Sequence, residues 1–327
     1  MYTSVSGVDG TIRQVSGAFF IPRGSPPQNG WRVISLAHAT TGIDNGCGPS
    51  AEPDLRGYLP TIRSFVAQRY AVALSDYEGL GESGSHPFME PRTAAFNVID
   101  AVRALRESSP TVSTRWVAVG SSQGGQAAWA ANELNSYYGD GIELLGSVAM
   151  APAANITGVA NLAWAGSLTE EQQSLYPLMI VGLERYNADL DERAFLHGRI
   201  AADKGALADC QSPVTDPGNG STRADLKPDT LLDVDRLRDA LQRIALPQRQ
   251  LDKPMLVVNG TRDETVLAPW VSSAVSDSCR LGGQIERVEI PDAGHADLAA
   301  EADDTVQGWI SYRFARLAPP SSCQTSP

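Results

Sequence analysis

Short apolar runs alternate with stretches of helical periodicity over residues 10–150, and again from residue 254 onward. "RQVSGAFFIP" and "WRVISLAH" read as strands, joined by a proline- and glycine-rich loop between Gly24 and Gly30. In "RGYLPTIRSFVAQRY", Leu59, Ile62, Phe65 and Val66 recur at helical spacing. "AVALSDY" reads as a buried strand, and "TAAFNVIDAVRALRES" places Ala95, Val98, Ile99, Val102 and Leu105 on one helical face. "RWVAVG", "QAAWAANEL" and "LLGSVAMA" follow as strand, helix and strand. After residue 254 the rhythm resumes with the strand "PMLVVNG", the helix "APWVSSAVSDSCRL", the strand "IERVEI" and one closing helix across "ADLAAEADDTVQGWISYRFARL". Strands separated by helices need crossover connections, which are right-handed and build a mostly parallel sheet flanked by helices. Such strands are buried on both faces, so they read as continuous apolar runs. The fold class is therefore α/β.

The rhythm stops between residues 153 and 252, where no convincing strand occurs. Thr169 and Gln172 in "SLTEEQQSLYPLMIVGLERY" form a capping-box signature that opens a helix. "DERAFLHGRIAADKGALAD" and "DTLLDVDRLRDALQRIAL" are further helical candidates, with "QSPVTDPGNGSTRADLKP" as loop between them. The expected organisation is a core of residues 1–152 and 253–327 interrupted by a helical cap over 153–252, and 327 residues accommodate it.

Several function classes are disfavoured. No run of eighteen apolar residues occurs, so no integral membrane span is expected. A net charge of −12 with no Lys/Arg cluster repels phosphate backbones, so nucleic acid is not an expected partner. The four cysteines, Cys47, Cys210, Cys279 and Cys323, form no C-x-x-C pair and the four histidines are scattered, so no metal-site spacing appears. Their even number permits two disulfides in any of three pairings.

The chemistry centres on "VAVGSSQGGQAAWAANEL", where Gly120, Ser121, Ser122, Gln123 and Gly124 fit G-x-S-x-G. The pentapeptide alone is a weak signal, but here it joins a buried strand to a helix, the setting of a nucleophile elbow. Such a turn is so sharp that only glycine neighbours let the chain fold back past the serine. It exposes the hydroxyl at a helix start, where backbone N–H groups face developing negative charge. A serine hydroxyl at neutral pH still needs a base held by a third group. The order serine, acid, histidine is met by Asp263 after "LVVNG" and His295 after "VEIPDAG", both in loops just past strand ends. Glu264 and Asp292 are rival acids; His38, His86 and His197 are rival bases, none of which follows a late strand. The oxyanion donors expected are the backbone N–H of Gln123 and, from the loop after "WRVISLAH", that of Thr40.

Taken together, "LAHATTG", "LSDYEGLGESGSHPFM", "GSSQGG", "NGTRDETV" and "AGHADL" resemble the secretory lipase family of α/β-hydrolases, bacterial branch, over about residues 10–315. The resemblance implies an α/β-hydrolase fold and a secreted serine esterase or lipase that needs no cofactor, with the helical insert capping an acyl pocket. It carries the triad to Ser122, Asp263 and His295, and the oxyanion segment to His38–Gly42. His38, Ala39 and Thr41 are then candidate pocket residues, as is Tyr77 from the "DY" pair. The start, "MYTSVSGVDGTIRQ", lacks a signal-peptide layout, so the secretion that the resemblance implies is expected of a mature form, with a cytoplasmic location as the alternative. Relatives usually carry glycine where Ala39 stands; if that position needed positive φ, alanine would add strain of about 1 kcal/mol. The implied reaction is hydrolysis of short to medium acyl esters, of small-molecule or lipid type. The same triad also serves acyl transfer or peptide cleavage, and a binding protein with a relic elbow is the non-enzymatic alternative.

Overall fold

A computed structural model describes residues 1–202, 210 and 222–323. The chain opens with β1 (Tyr2–Val5) and β2 (Ile12–Val15), an antiparallel pair separate from the main sheet. The main sheet holds β3 (Gly17–Phe20), β4 (Trp31–Ala37), β5 (Tyr70–Ser75), β6 (Val112–Ser121), β7 (Glu143–Met150), β8 (Met255–Gly260) and β9 (Ile285–Ile290). Its order is β3-β5-β4-β6-β7-β8-β9, and only the β3–β5 pair is antiparallel. The single strand expected across "RQVSGAFFIP" is two, broken at Ser16. Ser16 donates its hydroxyl to Asp76 Oδ2 at 2.6 Å and accepts the Asp76 N–H at 3.0 Å. Those bonds turn the chain between two pairing partners, so β2 joins β1 while β3 joins β5.

Helices α1 (Leu59–Ala67), α2 (Pro91–Ser108) and α3 (Gln123–Tyr138) alternate with the first parallel strands. Each starts where apolar spacing changes from continuous to helical; Pro91 at the first turn and the Glu90 carboxylate, which accepts the Arg92 and Thr93 N–H groups, fix the start of α2. The insertion between β7 and β8 carries α4 (Gly158–Ala165), α5 (Glu170–Glu184), α6 (Gly198–Ala202) and α7 (Leu231–Ile244), with no strand among the described residues. Thr169 and Gln172 exchange both capping-box bonds, at 3.1 and 3.2 Å. Of the helix expected over 191–209, a short 3-10 turn at Glu192–Ala194 and α6 are described. Residues 203–209 of that helix, and 211–221 of the loop after it, lie outside the described residues.

After β8 come α8 (Ala268–Arg280), α9 (Leu298–Glu301) and α10 (Asp303–Phe314). The one closing helix expected is thus two, meeting at Ala302; the break lets Leu298 and Ala302, both 0% exposed, reach the core together with Val306. Strand β6 shows how the layers are built. Trp116 and Ala118 join the cluster that contains Val98, Ile99 and Ala127, while Val117 and Val119 join the one that contains Phe65, Trp309 and Ile310. Successive residues of one strand therefore bury opposite faces, each large side chain contributing about 1.5–3 kcal/mol.

The cysteines pair as Cys47–Cys210 and Cys279–Cys323. The first links the loop after β4 to the insertion; the second holds the C-terminal segment to α8. Among the described residues no helix is long and apolar enough to cross a membrane.

Candidate active site

Ser122 sits between β6 and α3 with φ 56° and ψ −118°, a conformation that a residue with a side chain holds only under strain. Three backbone bonds hold it there. Its N–H donates to Met150 O at 2.9 Å, and its carbonyl accepts from Gln126 N at 3.0 Å and Ala153 N at 3.2 Å. The flanking glycines are dictated by contact. A Cβ on Gly120 would stand 2.1 Å from Gly124 O, and one on Gly124 would stand 2.0 Å from Ala37 O. Even alanine at either place would drive β6, α3 and the end of β4 apart.

Strand β8 ends at Gly260, and Asp263 follows in the next turn with a side chain that is 0% exposed. Its Oδ1 accepts the Thr265 and Val266 N–H groups at 2.9 and 2.7 Å, which fixes the plane of the carboxylate. Its Oδ2 lies 2.8 Å from His295 Nδ1, and His295 Nε2 lies 3.0 Å from Ser122 Oγ. With Nδ1 donating to the carboxylate, Nε2 carries the lone pair and faces the serine hydroxyl. Three residues distant in sequence thus form one proton-handing line. The rival acids lie elsewhere: Asp292 pairs with Arg262 at 2.9 Å on the surface, and Glu264 gives its carbonyl to Thr169 Oγ1 at 2.7 Å.

The loop after β4 brings Thr40 beside Gln123. Both line one cleft with Ser122, and neither backbone N–H donates to a protein acceptor among the described residues. Ala39 is not among the residues with positive φ, so alanine sits there without the strain considered from sequence. Its N–H donates to Tyr58 Oη at 2.6 Å.

His38 and Tyr77 lie beneath the loop, 0% and 1% exposed, and line neither cavity at the serine. The Tyr77 hydroxyl donates to His38 O at 3.0 Å, and the two rings pack tilted by 34° with centroids 4.3 Å apart. Burial lowers the His38 pKa and raises that of Tyr77, so both are neutral props. Thr41 is half-buried and its hydroxyl has no hydrogen-bond partner among the described residues.

One residue rejected as a base takes another place. His86 Nδ1 lies 2.7 Å from Glu78 O, and its Nε2 lies 3.2 Å from Gln123 Nε2. Burial pushes its pKa down to about 3, so the ring is neutral, donates from Nδ1 and accepts at Nε2. That fixes the Gln123 amide with its oxygen toward Thr40, whose hydroxyl donates to it at 3.1 Å. The side chains of the two expected oxyanion residues are therefore joined, and the join is braced by His86. Nothing in "GESGSHPF" signals this, because the contact spans 37 residues.

Two cavities meet at the serine. One, of about 60 Å³, is apolar and bounded by Phe88, Ile156, Val159, Tyr176 and Met179. The other, of about 460 Å³, is bounded by Tyr58, Thr61, Phe65, Ser121 and His295. Thr40, Ser122 and Leu175 border both. Among the described residues no group of three His, Cys, Asp or Glu side chains is placed to hold a metal.

Comparison with known proteins gives one family. The profile of the secretory lipase family matches residues 59–321. No curated protein matches the chain. Among solved structures, lipase A of Candida antarctica in its closed state superposes with a TM-score of 0.78 at 16% identity, over 98% of this chain and 78% of that one. The rice cell wall degrading esterase LipA of Xanthomonas oryzae superposes with a TM-score of 0.75 at 20% identity, over 96% of this chain and 88% of that one. At such identities the likeness speaks for the fold, an α/β-hydrolase sheet with flanking helices.

Proposed function

The chain belongs to the secretory lipase family, and from that premise we propose that it hydrolyses carboxylic esters through an acyl-enzyme on Ser122. The observation that carries this reading is the line from Asp263 Oδ2 through His295 to Ser122 Oγ, at 2.8 and 3.0 Å. His295 takes the Ser122 proton as Oγ attacks the ester carbonyl. Asp263 holds the ring in the tautomer that makes this possible and stabilises the imidazolium that forms. The Thr40 and Gln123 N–H groups receive the oxyanion, each worth about 3 kcal/mol of barrier reduction. The proton then passes to the departing alcohol, and a water activated by His295 releases the acid.

The insertion acts as a cap in this reading, since Ile156, Val159, Tyr176 and Met179 close the apolar side of the site. Secretion is supported by the two disulfides, which persist in oxidising compartments. The substrate is a small-molecule or lipid ester.

The deciding experiment uses p-nitrophenyl acetate and a fluorophosphonate probe. Wild type is expected to turn over the ester and to be labelled at one serine, while Ser122→Ala does neither. Labelling of the variant, or turnover that survives it, overturns the assignment.

A further inference from the structure

We infer that the site divides its substrate unequally, taking a short acyl chain on the insertion side and a bulky, partly polar alcohol on the His295 side. The inference rests on the triad reading and assigns each cavity to one half of the ester. When Ser122 Oγ bonds to the acyl carbon, the carbonyl electron pair moves to oxygen and the carbon becomes tetrahedral. Three of its bonds then have fixed directions: one to Ser122 and one to the oxyanion facing Thr40 and Gln123. The third runs to the alcohol oxygen, which must meet His295 Nε2. Only that placement lets the proton taken from Ser122 reach the departing oxygen as the acyl carbon–oxygen bond breaks. The fourth substituent, the acyl chain, takes the direction that remains.

The cavities match this division. The one of about 460 Å³ contains His295 and not Gln123, so it receives the alcohol. The one of about 60 Å³ contains Gln123 and not His295, so it receives the acyl chain. An apolar hole of about 150 Å³ takes a benzene ring, so a cavity of well under half that volume suits an acyl chain of roughly two to four carbons. Buried Tyr176, Met179 and Val159, each 6% exposed or less, close its far end. The larger cavity has an apolar floor at Phe65 and Val119. It opens to water at Thr61 and Asp303, both exposed, with Ser121 and Tyr58 offering hydroxyls along its wall. An alcohol with a ring and several hydroxyls suits that mixture.

Two ester series read the halves separately. In the first the alcohol is fixed as p-nitrophenol and the acyl chain grows from acetate to octanoate. Here kcat/KM is expected to fall at least about tenfold beyond butyrate, the scale on which one excess methylene is rejected. In the second the acyl group is fixed as acetate and the alcohol grows from ethanol to phenol to an acetylated hexose. Here kcat/KM is expected to hold or rise. Met179→Ala should raise octanoate relative to acetate about tenfold, and Thr61→Trp should lower the hexose acetate relative to ethyl acetate. Preference for octanoate in the wild type, or loss of turnover as the alcohol grows, overturns the division while leaving the triad intact. Failure to turn over every ester in both series sinks the triad reading first.

Discussion

The Gln123 side-chain amide donates to the neutral Nε2 of His86 across 3.2 Å, and its oxygen accepts the Thr40 hydroxyl at 3.1 Å. His86 is thereby joined through the Gln123 side chain to Thr40, the two residues whose backbone N–H groups are the proposed oxyanion donors.

His86→Leu removes the acceptor and frees the Gln123 side chain. Since oxyanion donors act on the transition state, kcat is expected to drop about tenfold with KM nearly unchanged. His86→Gln, which can offer a carbonyl oxygen, should recover part of the loss. Because burial holds the His86 pKa at about 3, the ring stays neutral through mildly acid solution, and this contribution should persist at pH 5. A rise in KM with kcat intact would assign His86 to ground-state binding instead.

Ser122→Gly should abolish turnover and yet raise stability by about 1 kcal/mol, because glycine adopts φ 56°, ψ −118° without the cost that a Cβ incurs. Denaturant midpoints compare it with wild type. A less stable variant would show that the serine backbone is relaxed.

Glu133, 3% exposed, accepts Trp129 Nε1 at 2.8 Å and the Gln248 and Arg249 N–H groups at 3.0 Å each. Burial pushes its pKa from the ordinary 4.5 up to about 7. Between those values the folded protein keeps a proton that the unfolded chain has released. Stability should therefore decline as pH rises from about 4.5 to about 7, by an amount on the order of 3 kcal/mol. In Glu133→Gln the amide oxygen can take the two backbone N–H groups only by turning the NH2 group toward the Trp129 Nε1–H donor, so the variant is expected to be weaker at every pH. The difference from wild type should nonetheless shrink as pH rises through that window. A constant difference would mean that Glu133 does not titrate there.

The Cys47–Cys210 bridge closes 163 residues and Cys279–Cys323 closes 44. Each Cys→Ser pair should cost about 2–4 kcal/mol in urea midpoints, the first about 1 kcal/mol more than the second by loop-closure entropy. Equal losses would point to native-state contacts rather than chain entropy.

The elbow is legible because strand and helix flank Gly120 and Gly124 directly, although the closest contact that forbids a side chain at Gly124 comes from distant Ala37. That Asp263 and His295 would come together beside Ser122 is legible from their positions after β8 and β9, since parallel strands deliver their C-terminal loops to one edge. The β1–β2 pair was not, because four-residue strands such as "YTSV" carry too little periodicity. Cysteine pairing was left open since spacing alone does not order loops in space. The contacts of His86 with Gln123 and of Tyr58 with Ala39 are not legible for the same reason: each joins residues that only the fold brings near.

Strands β6, β7 and β8 are consecutive rungs of one ladder, and Ser122 N–H is itself tied to the end of β7. Ser122 and Asp263 thus follow strands at the centre of the sheet, while Val159, Tyr176 and Met179 belong to helices spliced in between two of those rungs. In the proposed reaction, reactivity and selectivity therefore rest on separate foundations. An engineer who swaps the spliced helices for those of a relative should obtain a new preference on an unchanged chemical engine, without having to realign it.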